Sequence, residues 1–99
     1  MRGMTTKEKQ VNMRVSGRVV SFLVVAEGKT KRYGATVRLV KTNDITGNYP
    51  YAIYEMAYSP WTHKATGVWR YCTSGKYEQM KRIFDNIIRT KGIRRERVL

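Results

Sequence analysis

Residues 11–26 read VNMRVSGRVVSFLVVA, and the fold turns on how this stretch is interpreted. Val11, Met13, Val15, Val19, Leu23 and Val25 fall on alternate positions, with Asn12, Arg14, Ser16 and Arg18 between them. Side chains of a strand point to opposite sides in turn, so this period predicts one long strand with one buried face. Gly17 then marks a bulge or bend within it.

Downstream, Glu27-Gly28-Lys29 reads as a hairpin connection between two β-rich runs. Tyr33, Ala35, Val37 and Leu39 then alternate with Arg32, Gly34, Thr36 and Arg38, which predicts a second strand. Asn43 to Asn48 is the clearest loop signal, and Pro50 leads into an aromatic-rich third strand, Tyr51 to Tyr58. Ser59-Pro60-Trp61-Thr62 makes a turn before a fourth strand, Lys64 to Cys72. Beyond Cys72 the period lengthens to about 3.6 residues. Tyr77, Met80, Ile83, Phe84, Ile87 and Ile88 form one apolar stripe, with Ser74 or Gly75 as its opening cap and Gly92 as its close. The expected fold is therefore α+β: a four-stranded antiparallel sheet followed by one C-terminal helix packed on one face. Residues 1–10 read as a basic flexible arm, 11–92 as the single domain and 93–99 as a basic tail.

The chain carries 20 Lys and Arg against 7 Asp and Glu in 99 residues, a net charge of +13. Such a surface attracts polyanions and releases counterions from phosphate backbones on binding, so nucleic acid is the expected partner. At 41% hydrophobic residues the chain is too apolar for a disordered basic tail and suits one modest core. Homodimerisation would let a domain this small bury more apolar surface. Cys72 is the one cysteine and reads as a small buried residue; with His63 as the one histidine it cannot complete a structural zinc site. No metal and no cofactor are called for. The run Val19 to Ala26 is too short to span a bilayer and no signal-peptide pattern precedes it, so an intracellular protein with no membrane partner is expected: cytoplasm or nucleoid, or host cytoplasm if viral.

If a helix covers one sheet face, the other is free to bind. Arg14, Arg18, Arg32 and Arg38 are expected on that face, where planar guanidinium forks pair with phosphates and stack on bases. Lys29 and Lys31 flank the first hairpin. Among the rings crowded between positions 49 and 71, Tyr54 and Trp61 are the expected base-stacking residues, with Lys64 and Arg70 as basic neighbours. The competing explanation is that half of these rings are core and the arginines only a solvated face. Lys76, Lys81, Arg82, Arg89 and Lys91 flank the helix stripe and read as solubility residues.

Sharper motifs fail. Gly28-Lys29-Thr30 ends like a phosphate-binding loop, but Leu23 stands where that motif needs glycine. Arg32-Tyr33-Gly34-Ala35 lacks the later aromatic spacing of the RNA-recognition motif. The acidic residues are scattered singly, and a metal-free ribonuclease would have to use His63 with Lys64, Tyr71 or Glu55, so the protein is expected not to be an enzyme.

The order of four strands and a helix, with an arginine-rich sheet over about residues 11–92, resembles the single-stranded-DNA-binding domains of the transcriptional positive cofactor 4 and whirly group. That resemblance implies a helix-assisted dimer whose curved sheets hold single strands. The expected function is binding of single-stranded DNA or RNA largely without sequence preference. The alternative is a virus-encoded regulator or inhibitor that docks on an acidic protein of a nucleic-acid-handling complex.

Overall fold

The computed structural model describes residues 8–30, 35–59, 61–62 and 64–89. Five strands, β1 (Lys9–Val15), β2 (Arg18–Lys29), β3 (Thr36–Lys41), β4 (Tyr51–Tyr58) and β5 (Ala65–Gly75), are followed by the helix α1 (Tyr77–Arg89). The strands follow one another around a closed barrel, each antiparallel to the next. Closure comes from a parallel pairing of β1 with β5 at Arg14 and Val68.

This corrects the expected four-stranded open sheet, and the cause lies in residues 11–26. Ser16 and Gly17 adopt φ values of 50° and 77°, the left-handed pair that a two-residue type I′ turn requires. The stretch is therefore a hairpin of two strands, with Val15 facing Arg18 across the turn. Reversal at Ser16-Gly17 resets the alternation, so Met13 packs inward with Val20, Phe22 and Val24, and not with Val19, which is exposed.

A second correction concerns Glu27-Gly28-Lys29, which continues β2 and is no turn. Gly28 sits there because the helix comes close: a Cβ on it would lie 3.0 Å from Ile88 Cδ1. The reversal falls at Thr30 and Ala35, where the Thr30 N–H donates to the Ala35 carbonyl and the Ala35 N–H donates to Thr30 Oγ1. Lys9 and Gln10, expected in the arm, belong to β1. Residues 1–7 and 90–99 lie outside the described residues.

Two apolar clusters divide the structure. Met13, Phe22, Val24, Val40, Ala52, Tyr54 and Trp69 fill the barrel. Val37, Leu39 and Ile53 on the outer wall meet Met80, Phe84 and Ile87 of α1. The helical stripe is thus the one expected from the 3.6 period, but its partner is the outside of a barrel. Lys76 takes the opening cap position, its carbonyl accepting from the Met80 N–H, and Ser74 and Gly75 remain in β5. Glu78 in the first turn and Arg89 in the last complement the helix dipole. No helix among the described residues is long and apolar enough to cross a membrane.

Candidate functional site

Closure changes what an arginine on an inward-facing position can do. In an open sheet the face away from the helix is solvent; here it is the interior, and only its ends are accessible. A shift in register between Val24 and Ala26 puts Glu27 and Lys29 of β2 on the inward-facing side, opposite Arg38 and Thr36 of β3. These four residues stand where β2 and β3 run out at the barrel mouth.

Arg38 is the central group of that mouth. Its Nε donates to Glu27 Oε1 at 2.9 Å, and its guanidinium carbon lies 4.3 Å from the centroid of the Trp69 ring. The side chain is 20% exposed. An ion pair on one side and a π face on the other hold the guanidinium in one orientation. Deeper in, Tyr54 packs at 5.2 Å from Phe22 and 5.9 Å from Tyr71, ring centre to ring centre. Burial raises the Tyr54 phenol above its ordinary value of 10.0, with Tyr71 and Cys72 adding to the shift, so it stays neutral. Tyr54 is thus a core ring, whereas Tyr71 is largely exposed, its hydroxyl 2.7 Å from Ser74 Oγ.

The other expected arginines disperse. Arg14 projects from the outer wall of β1, on the side opposite Met13 and Val15. Arg18 follows the hairpin turn with inward-facing alternation, so the two do not share a face. Arg70 lies on the outer wall of β5, 3.5 Å from the buried Glu55, and across the seam from Arg14 because Val68 pairs with Arg14. Lys31, Arg32 and His63 are outside the described residues. Glu55 and Tyr71, two of the alternative partners weighed for His63 in a ribonuclease, project from opposite faces of the β4–β5 ribbon. Among the described residues no group of three or more His, Cys, Asp or Glu side chains converges.

Because β2, β3, β4 and β5 alternate in direction, the β2–β3 and β4–β5 connections leave the same end of the barrel. Trp61 lies in the second of these and is 86% exposed. Ser59 Oγ accepts from the Trp61 and Thr62 N–H groups, and the Ser59 N–H donates to the Lys64 carbonyl, so the turn that carries the indole is itself bonded. Tyr58 and Lys64, both exposed, flank it. At the opposite end, the loop after β3 is organised by Asp44, which accepts from the Thr46 hydroxyl and from the backbone N–H groups of Thr46 and Tyr49. The Tyr49 backbone bond, followed by the Thr46 hydroxyl, lowers the Asp44 carboxyl below its ordinary value. At the tip of this loop Ile45 is 98% exposed.

Sequence reasoning placed Thr36 on the candidate face with Arg38, but did not single out Glu27 or Trp69 as their neighbours. A signal existed: Glu27 and Arg38 are equidistant from the 30–35 turn, as are Lys29 and Thr36, so correct placement of that turn pairs them. Comparisons with protein-family models, with curated proteins and with solved structures find no match to this chain.

Proposed function

We propose that the protein binds single-stranded nucleic acid at the end of the barrel that carries Trp61, without strong sequence preference. The observation that carries this reading is an indole 86% exposed beside Lys64 in a chain of net charge +13. An aromatic face held in water beside cations suits an unpaired base and its phosphate, and each stacked base contributes about 1–3 kcal/mol. Lys9, Lys29 and Lys64, all exposed, sit at strand ends or in a turn on this same side and add attraction for the backbone. Relative to the sequence expectation, the site moves from a sheet face to a barrel end. Trp61 keeps its stacking role, and Tyr54 has none. Competition among single- and double-stranded DNA and RNA at fixed salt tests the reading. Single strands should displace a bound single strand more effectively than duplexes do; preference for duplex would overturn the stacking mechanism.

A second reading, docking on another protein, is favoured by the Asp44 loop. Ile45 is held out in water by a bonded loop, and the sequence has no Lys or Arg from Thr42 to His63. Recovery of one protein after nuclease treatment, lost on Ile45→Asp, would support it. Loss of every partner on nuclease treatment would leave nucleic acid alone.

A further inference from the structure

We propose that Arg38, Lys29 and Thr36 form a phosphate-binding subsite at the barrel mouth, with Glu27 positioning the guanidinium. The inference rests on the nucleic-acid reading for its ligand, a backbone phosphodiester, and on the mouth geometry for its place.

Arginine presents five N–H donors in a planar fork. The Arg38 Nε–H is committed to Glu27 Oε1 at 2.9 Å, and the Trp69 ring lies 4.3 Å beneath. Neither Nη group has a hydrogen-bond or ion-pair partner among the described residues. A guanidinium only 20% exposed therefore keeps its two terminal amino groups unmatched while its orientation is fixed from below and from one edge. Unmatched donors in a partly dry site are costly until a ligand accepts from them, and two parallel donors match two oxygens of a phosphate. Register places Lys29 directly across from Thr36, next to the Glu27–Arg38 pair and on the same side of the ribbon. Among the described residues, the exposed Lys29 has no ion-pair partner and the Thr36 hydroxyl makes no hydrogen bond. Two cations against one carboxylate leave the cluster net positive, and the hydroxyl adds a neutral donor.

Glu27 has a double effect. It fixes the fork, and its charge opposes an incoming anion. Glutamine keeps an acceptor for Nε and removes that charge, so Glu27→Gln should tighten phosphate binding a few-fold, an outcome that loss of a merely structural contact would not give.

The test uses 15N-labelled protein and three probes: inorganic pyrophosphate, a short single-stranded oligonucleotide, and the same oligomer with an uncharged methylphosphonate backbone. Pyrophosphate and the phosphodiester oligomer should shift the Arg38 Nε–H and Trp69 indole signals saturably, and the uncharged oligomer should not. Arg38→Gln should lower oligonucleotide affinity about ten-fold, the loss of one charge-assisted contact. Arg38→Gln and Lys29→Gln should each flatten the log-log salt dependence by about 0.7, one phosphate contact apiece. If Arg38→Gln does not fold, the exposed Lys29→Gln carries the slope measurement. An oligonucleotide that binds wild type and both variants with the same slope overturns the subsite and leaves the broader reading standing. Pyrophosphate shifts without oligonucleotide binding would support the subsite and overturn the broader reading.

Discussion

Leu39 and Val40 are neighbours in sequence, both fully buried, and belong to different cores. Leu39 lies under the helix against the Met80, Phe84 and Ile87 cluster, while Val40 points into the barrel. Leu39→Ala removes apolar carbon worth roughly 2.4 kcal/mol at about 0.8 kcal/mol per methylene-sized group. The cavity left behind raises the cost to about 3 kcal/mol. A domain of this length has about 5–15 kcal/mol in total, so the loss is a large fraction. At about 4–8 °C per kcal/mol the melting temperature should fall by roughly 12–24 °C. Urea unfolding, followed by tryptophan emission and circular dichroism, reads both the cost and the denaturant slope. Double variants locate the contact: Leu39→Ala with Phe84→Ala should fall short of additivity by about 0.5 kcal/mol or more, because both line one cavity. Leu39→Ala with Met13→Ala should add, because the wall of the barrel stands between them. A cost below about 1 kcal/mol, or coupling to Met13 in place of Phe84, would refute the packing of α1 on the outer wall.

Three other outcomes follow from local geometry. Gly17→Ala should destabilise the fold by roughly 1–2 kcal/mol through backbone strain, since φ is 77° and, apart from its chain neighbours, no described residue comes within 4 Å of the added Cβ; a neutral effect in thermal unfolding would contradict the left-handed turn. The Asp44 carboxyl is held below the ordinary 3.8, so the order it gives the loop is fully present above that value and is lost as pH falls through the lowered one. The Thr46 and Tyr49 amide signals should therefore report a titration midpoint below 3.8, and a midpoint above it would be contrary. With Val15 and Arg18 as the hydrogen-bonded pair closing the hairpin, the Gln10 and Asn12 amides point away from β2 while β5 meets β1 at Arg14. Those two amides should exchange with deuterium much faster than those of Val11 and Met13, and equal protection would show a longer β1–β5 seam.

The elements with the plainest patterns were legible. Alternation from Thr36 to Leu39 and from Tyr51 to Tyr58, the Asn43–Asn48 loop signal, and the helical stripe from Tyr77 to Ile88 all have counterparts in the structure. What failed was local, with a global result. Ser16-Gly17 reads as a bend within one strand because Val15 and Val19 are four residues apart and so keep the alternation in phase. A left-handed pair at those positions instead reverses the chain, adds a strand, and lets the sheet close. Gly28 suggests a turn when its neighbours are Glu27 and Lys29, yet its lack of a side chain answers the approach of Ile88, a contact sixty positions away along the chain. Arg38 sits on the side of its strand away from the helix, as expected, but alternation alone cannot say that this side is the inside of a barrel, nor that Arg38 would stack on Trp69. Trp61 was the expected residue whose exposure depended least on the sheet, since a turn beside Pro60 remains a turn in either topology.

The central claim is that the Trp61 end of the barrel engages single-stranded nucleic acid by charge and stacking together. Fluorescence anisotropy of a labelled single-stranded oligonucleotide, titrated at a series of salt concentrations with wild type and Trp61→Ala, separates those two contributions. Wild-type affinity should fall with salt by about 0.7 log units per log unit for each phosphate contact. Trp61→Ala should weaken binding by about 1–3 kcal/mol at every salt concentration without changing that slope. Affinity that does not vary with salt, or that is the same without the indole, would contradict the account.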